Sequence, residues 1–285
     1  MAYCSLPISL SQRMDTYHKL KEAADFLKPY TDKKPRVAVV LGSGLGNFTR
    51  ELRVDHQITY SSIPHFPLST VEGHEGKLIF GSIGGKSIIA MAGRFHFYEG
   101  YSAEQVVFPI RVLKMLGIET LLVSNAAGGV NPQFKVGDLM IITDHISLAA
   151  VNPLLGKNDD RIGVRFPDMS EPYKKDLIEK AKQIAKQQSI QVQEGVYFGV
   201  TGPTFETRAE YKMIHVLGGD AVGMSTVQEV IAAVHCGMSV FAMSVITDIG
   251  IREDDNIITH EEVLEAAHRA EPLFSTIFRE LIKSL

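Results

Sequence analysis

The apolar and polar positions alternate between two periods along the chain. Met14, Tyr17, Leu20, Ala24 and Leu27 recur at helical spacing, so a helix is expected over Ser11–Leu27, ended by Pro29 and Pro35. Val37-Ala-Val-Val-Leu41 is an unbroken apolar run of strand length and predicts a strand buried on both faces. Residues 77–92 read as a hairpin turned by Gly84-Gly85. A helix over Ala103–Leu116 should lead into a strand at Thr120–Ser124. Further strands are expected at Val136–Thr143, Gly195–Val200, Asp220–Val222 and Ser239–Ile246. Helices are expected over roughly 171–188, 207–217, 226–236 and 260–283. Thr207–Glu210 and Thr259–Glu262 fit the capping box, and Ser225 or Thr226, with Gln228 or Glu229 three residues on, should cap a third helix. Strands alternating with helices, plus one hairpin, predict an α/β fold with a mixed central sheet flanked by helices. Without repeats or linkers, residues 1–285 read as a single domain.

Composition narrows the function. Hydrophobic residues make up 45% and charged residues 22%, the balance of an ordinary globular protein. The net charge of −4 comes without a basic run, so neither a nucleic-acid nor a membrane surface is expected. An anionic ligand would have to be held by a few placed groups. Cys4 and Cys236 are too few and too far apart for a zinc site or a disulfide framework, and read as free thiols in a reducing compartment. The first ten residues lack the charged start and apolar core of a signal peptide. Cytoplasmic residence is the expectation.

In such sheets ligands collect at the carboxyl ends of strands. Gly42-Ser-Gly-Leu-Gly46 follows the first strand, but it is not a dinucleotide fingerprint. The third glycine would fall at Asn47, and Ser61-Ser-Ile-Pro64 stands where an acid should end the next strand. The turn can still offer backbone N–H groups and the Ser43 hydroxyl to an anion. Gly84-Gly-Lys-Ser87 has Phe80 where a P-loop needs its first glycine. In Gly93-Arg-Phe-His-Phe-Tyr-Glu-Gly100, Arg94, His96 and Tyr98 would share one face if the segment is extended. Arginine suits a forked grip on phosphate, and Glu99 could orient or charge a histidine. Ser124-Asn-Ala-Ala-Gly-Gly129 would let backbone approach a ligand closely. Phe205-Glu206 pairs an aromatic with an acid, as suits a flat heterocycle, though a core phenylalanine beside a helix-start acid explains it as well. Gly223-Met-Ser-Thr226 precedes a helix, Thr247-Asp248 ends the last strand, and His260 opens the C-terminal helix. No segment has metal-ligand spacing. The set is an inventory for a phosphate, a heterocycle and a sugar.

From about Tyr17 onward the chain resembles the trimeric purine nucleoside phosphorylases. GSGLG, GHEGKLIFG, GRFHFYEGY, SNAAGGVNP, GPTFETRAE, DAVGMSTVQEV and HEEVL stand in the family order. The resemblance implies a homotrimer that cleaves purine nucleosides reversibly with inorganic phosphate as co-substrate and no metal or cofactor. Inosine and guanosine would be preferred. It implies that Ser43, Arg94, His96, the Ala126 N–H and Ser225 hold phosphate, with His74 covering it. Tyr98 and Met224 would contact ribose, and His260 the 5′-hydroxyl. Phe205 and Val222 would sandwich the base, Glu206 would take its N1–H, and Thr247 and Asp248 would face N7 and O6. His96, Glu206, Asp248 and His260 would then be the catalytic set.

Two positions depart from the family pattern. Asp248 stands where asparagine is common. A protonated Asp248, favoured by burial beside Glu206, would relax selectivity against adenosine. Ile162 stands where a neighbouring subunit often lends an aromatic. A 5′-methylthioadenosine phosphorylase remains an alternative, as does a non-enzymatic nucleoside-binding module that needs only Gly42–Gly46.

Overall fold

The computed structural model describes residues 14–71, 74–250 and 258–285. Cys4, the start of the expected first helix at 11–13 and Gly73 of the GHEG motif lie outside them. Nine strands form one mixed sheet among the described residues. In chain order they are β1 Val37–Val40, β2 Arg53–Thr59, β3 Lys77–Ile83, β4 Lys86–Ala92, β5 Thr120–Gly129, β6 Leu139–Ile146, β7 Gln193–Gly199, β8 Ala221–Gly223 and β9 Ser239–Ile249. Among the described residues six α-helices flank the sheet: α1 Thr16–Leu27, α2 Ala103–Met115, α3 Lys175–Gln187, α4 Arg208–Val216, α5 Val227–His235 and α6 His260–Ser284.

The strand order is β2-β3-β4-β1-β5-β8-β7-β6-β9, and β9 returns to pair in parallel with β5. Half of the sheet therefore closes on itself through β5, β8, β7, β6 and β9. Closure removes sheet edges that would otherwise carry unpaired backbone groups. No local sequence signal announces it, because it depends on pairing between distant strands.

The apolar runs behave as their patterns predict. All four residues of β1 are buried, between parallel neighbours β4 and β5. The hairpin turns at Gly84 and Gly85, both with positive φ. α6 lays Phe274 and Phe278 against Phe48, and Phe278 against Phe241 of β9.

Three expectations change. β2 was not anticipated: Arg53-Val-Asp-His-Gln-Ile-Thr59 is mostly exposed and pairs only with β3, so no apolar alternation marks it. β5 runs on through Gly129 and β9 through Ile249, because the two strands pair along their whole length. The small-residue segment thus lies within β5 rather than in a loop beyond it, and Thr247-Asp248 stands at the end of β9, as its sequence suggested. Met14, expected on the apolar face of α1, is exposed; the helix begins at Thr16 and buries Leu20, Ala23, Ala24 and Leu27.

Phe278 is fully buried at the centre of an aromatic cluster. Phe278→Ala should cost about 3–5 kcal/mol, read as a lowered thermal midpoint; an unchanged midpoint would contradict this packing.

Candidate active site

A cavity of about 370 Å³ opens where β1, β4, β5, β8 and β9 end. It is lined by Ser43, Arg94, His96, Tyr98, Ala126, Phe205, Glu206, Val222, Met224, Ser225, Thr247, Asp248 and His260. Of the residues that the resemblance assigns to phosphate, ribose or base, His74 does not line it. Its ring lies one layer back, with Nε2 3.3 Å from Ser43 Oγ. Ile162 lies elsewhere, on a separate cavity with Arg111 and His235.

Arg94 is 1% exposed. Its Nε and Nη2 donate to the two carboxylate oxygens of Glu229 on α5, at 3.0 and 2.8 Å. Nη1 donates to the Ser124 carbonyl of β5 at 2.6 Å. The guanidinium is thus fixed in plane from two elements, with N–H groups left over for a ligand. The 94–98 segment is not extended throughout: Phe97–Glu99 is a short 3-10 helix capped by His96. His96 and Tyr98 instead stack, with ring centroids 4.6 Å apart, and His74 stacks on the other histidine at 5.4 Å.

Burial disfavours a second charge in this column. It lowers the His74 pKa to about 3, reinforced by His96 and Arg94, so His74 is neutral at physiological pH. His96 is also lowered by burial, against the pull of Glu99. Glu99 accepts from the His96 backbone N–H and lies 3.0 Å from its Nδ1. Burial would raise Glu99, but hydrogen bonds from His96 and Thr70 outweigh it and hold the acid at about 2. Glu99 therefore orients His96 rather than charging it.

The glycine-rich turn is less open to an anion than its composition suggests. The Gly42 N–H is already taken by Ser124 Oγ at 3.2 Å, which leaves Ser43 as the group reaching the cavity. Gly42 has no room for a side chain, since a Cβ would lie 2.7 Å from Asn125 Cα.

Neither hydroxyl of Ser225-Thr226 caps α5. Thr226 takes the N-cap position with φ +68° and no side-chain cap, and its Oγ1 accepts from Asn125 Nδ2 instead. The expected cap partners have other work: Glu229 holds Arg94, and Gln228 donates to the Val151 carbonyl. By contrast, both capping boxes on α4 and α6 form. The second one sets His260 in the first turn of α6, facing the cavity.

Acidic groups gather at the other end. Glu206 is raised, chiefly by burial and also by Asp248. Asp248 Oδ1 lies 3.1 Å from Thr247 Oγ1, and Oδ2 3.4 Å from the Tyr211 hydroxyl. Burial raises Tyr211 strongly, as do both acids, so its hydroxyl stays protonated. Phe205 is 42% exposed at the rim, while Val222 is buried in the wall. Tyr211 and Val71 also line the cavity and were not anticipated, and Asn125, Pro203 and Val263 line it from motifs in which they had been given no role. Glu229 was seen only as a cap; an acid in the first turn of a helix reads that way unless the buried arginine it meets is known.

Chemically, one end offers a fixed guanidinium, hydroxyls and neutral imidazoles to an anion. The other offers an aromatic rim and two acids to a heterocycle. Among the described residues, no three His, Cys, Asp or Glu side chains come together as metal ligands. No helix there is long and apolar enough to cross a membrane.

Glu229→Ala would leave the Arg94 charge buried without its partner. It should cost about 3–5 kcal/mol of stability by chemical denaturation. Equal stability of variant and wild type would show that the pair is not needed.

The phosphorylase superfamily model matches residues 36–283. Purine nucleoside phosphorylase 1 of Geobacillus stearothermophilus is 49% identical over 93% of this chain and 97% of its own. Purine nucleoside phosphorylase of Rattus norvegicus is 48% identical over 95% and 96%. Isoform 2 of the Schistosoma mansoni enzyme, solved with cytosine and ribose-1-phosphate, superposes with a TM-score of 0.90 at 44% identity, covering 94% of this chain and 97% of that one. The chain belongs to the phosphorylase superfamily, as a pentosyltransferase of the purine nucleoside phosphorylase group.

Proposed function

We propose that the chain catalyses reversible phosphorolysis of purine ribo- and deoxyribonucleosides, inosine and guanosine above others, giving the free base and the pentose 1-phosphate. The observation that carries this reading is the fixed Arg94 guanidinium facing the same cavity as Phe205, Val222 and Glu206. An anion grip and a base slot share one chamber. Solved relatives from Schistosoma mansoni hold adenosine in one case and hypoxanthine in another, which supports a nucleoside and its base as occupants here.

In this reading Arg94, His96, Ser43, Ser225 and the Ala126 N–H hold phosphate beneath C1′, and His74 backs Ser43. Tyr98 and Met224 pack on the ribose, and His260 bonds the 5′-hydroxyl. Phe205 and Val222 flank the base, and Glu206 accepts from N1–H. As the glycosidic bond breaks, positive charge grows on the sugar and negative charge on the purine. The phosphate oxygens stabilise the first. A proton delivered or shared at the N7 edge by Thr247 and Asp248 stabilises the second, worth on the order of 10²–10⁴ in rate. Alignment of the two substrates supplies much of the remaining acceleration. Phosphate is the co-substrate, and no step calls for a metal or cofactor.

We read residues 1–285 as one such unit, acting as a cytoplasmic homotrimer, with Ile162 of one copy near the ribose of the next. Leu148, Leu155, Val164 and Phe166 are 63–86% exposed, an apolar surface suited to a second copy.

Hypoxanthine should be released from inosine only when phosphate is present, with ribose 1-phosphate as the other product. Release without phosphate would make the enzyme a hydrolase, and turnover of methylthioadenosine alone would favour that substrate. Asp248→Asn should raise the inosine-to-adenosine ratio of kcat/KM about tenfold or more, equivalent to about 1.4 kcal/mol. An unchanged ratio would remove Asp248 from base selection.

A further inference from the structure

Tyr211 has no role in the reading so far, although it lines the base end of the cavity. Its ring is buried in α4, and the fold makes room for it. A Cβ on Gly250 would lie 2.0 Å from the ring, and a Cβ on Gly128 would lie 3.3 Å from the hydroxyl and 3.0 Å from Asp248 Oδ2. Two bare backbone positions therefore seat the phenol. Its hydroxyl lies 3.4 Å from Asp248 Oδ2 and within hydrogen-bonding reach of Glu206. A single phenolic O–H stands between two carboxyl groups that both face the base.

The hydrogen-bonding edges of purines give that arrangement a use. A 6-oxopurine presents a donor at N1 and an acceptor at O6. It needs Glu206 as carboxylate and Asp248 as acid. A 6-aminopurine presents an acceptor at N1 and a donor at N6. It needs Glu206 as acid and Asp248 as carboxylate. The two demands are opposite in placement and equal in number: one proton on the pair in each case. We propose that Glu206 and Asp248 share one proton through the Tyr211 hydroxyl, so that one site accepts both 6-oxo- and 6-aminopurine nucleosides and Tyr211 determines how evenly.

The exchange balances. The Asp248 carboxyl gives its proton to the Tyr211 oxygen while the phenolic proton passes to a Glu206 oxygen. Tyr211 is neutral before and after, and nothing enters from solvent. The charged groups acting on Glu206 are Asp248 and Glu210, and those acting on Tyr211 are Asp248 and Glu206. Thr247 donates to Asp248 from its own strand, and Arg94, His96, Tyr98 and His260 are the titratable groups elsewhere on the cavity wall. Acids beside one another favour a shared proton over two full charges.

The inference rests on the proposed reaction, and the test separates the two. The measurement is kcat/KM for inosine and for adenosine between about pH 6 and pH 8, for the wild type, Tyr211→Phe and Asp248→Asn. Because both substrates need the same proton count, the wild-type ratio should stay flat with pH, with adenosine turned over at every point. In Asp248→Asn only Glu206 titrates, ionised for inosine and protonated for adenosine. Its adenosine-to-inosine ratio should then fall about tenfold per pH unit as pH rises. Tyr211→Phe keeps the ring, both acids and their proton count but removes the bridge, so its ratio should stay flat with pH while shifting about tenfold from the wild type's. A sloping wild-type ratio, absent adenosine turnover with inosine intact, a flat ratio in Asp248→Asn, or a Tyr211→Phe ratio equal to the wild type's would overturn the shared proton. Failure of phosphate-dependent inosine cleavage in the wild type would overturn the proposed reaction itself.

Discussion

The buried pair of Arg94 and Glu229 is the constraint on which the site depends. It ties the segment after β4 to α5, and through the Ser124 carbonyl to β5. A guanidinium at 1% exposure is tolerable only with such partners, because an uncompensated charge there would cost several kcal/mol. The same partners fix its plane before any ligand arrives, so little ordering remains to be done on binding. The neighbouring imidazoles are kept neutral by burial. One fixed cation, already neutralised from behind, is set among neutral donors, which suits a phosphate that must be both gripped and consumed.

Much of this was legible in the sequence, for identifiable reasons. β1, the 77–92 hairpin and the α4 and α6 capping boxes rest on local rules, and local rules hold wherever a segment's partners lie nearby. β2 escaped because a mostly exposed edge strand carries no apolar alternation. The closure of β5 on β9 escaped because pairing between distant strands leaves no local mark. Thirteen of the residues named from sequence line one cavity, whereas His74 stands behind Ser43 and Ile162 lies on another face. The missed residues share one property: each acts through a partner far away in sequence. Glu229 looked like a cap until Arg94 met it, and Tyr211 carries no signal in the sequence until Asp248 and Glu206 meet it.

The two ends of the cavity use opposite electrostatic strategies. At the anion end, charge is fixed and titration is suppressed, since His74 is neutral and Glu99 is held at about 2. At the base end, Glu206 is raised by burial and by Asp248, and the Tyr211 hydroxyl stays protonated, so protons remain available where a departing purine needs them. Asp248 in place of an amide turns a fixed donor into a group that can exchange roles. Its position between Thr247 and Tyr211 makes that exchange a property of the network rather than of one side chain.

The most direct measurement is the steady-state KM for phosphate and for inosine in Arg94→Lys. Lysine keeps the charge but cannot fork onto Glu229 and a ligand together. If Arg94 is the fixed grip, KM for phosphate should rise about tenfold or more while KM for inosine changes little. Equal changes in both constants, or no change in the first, would contradict it.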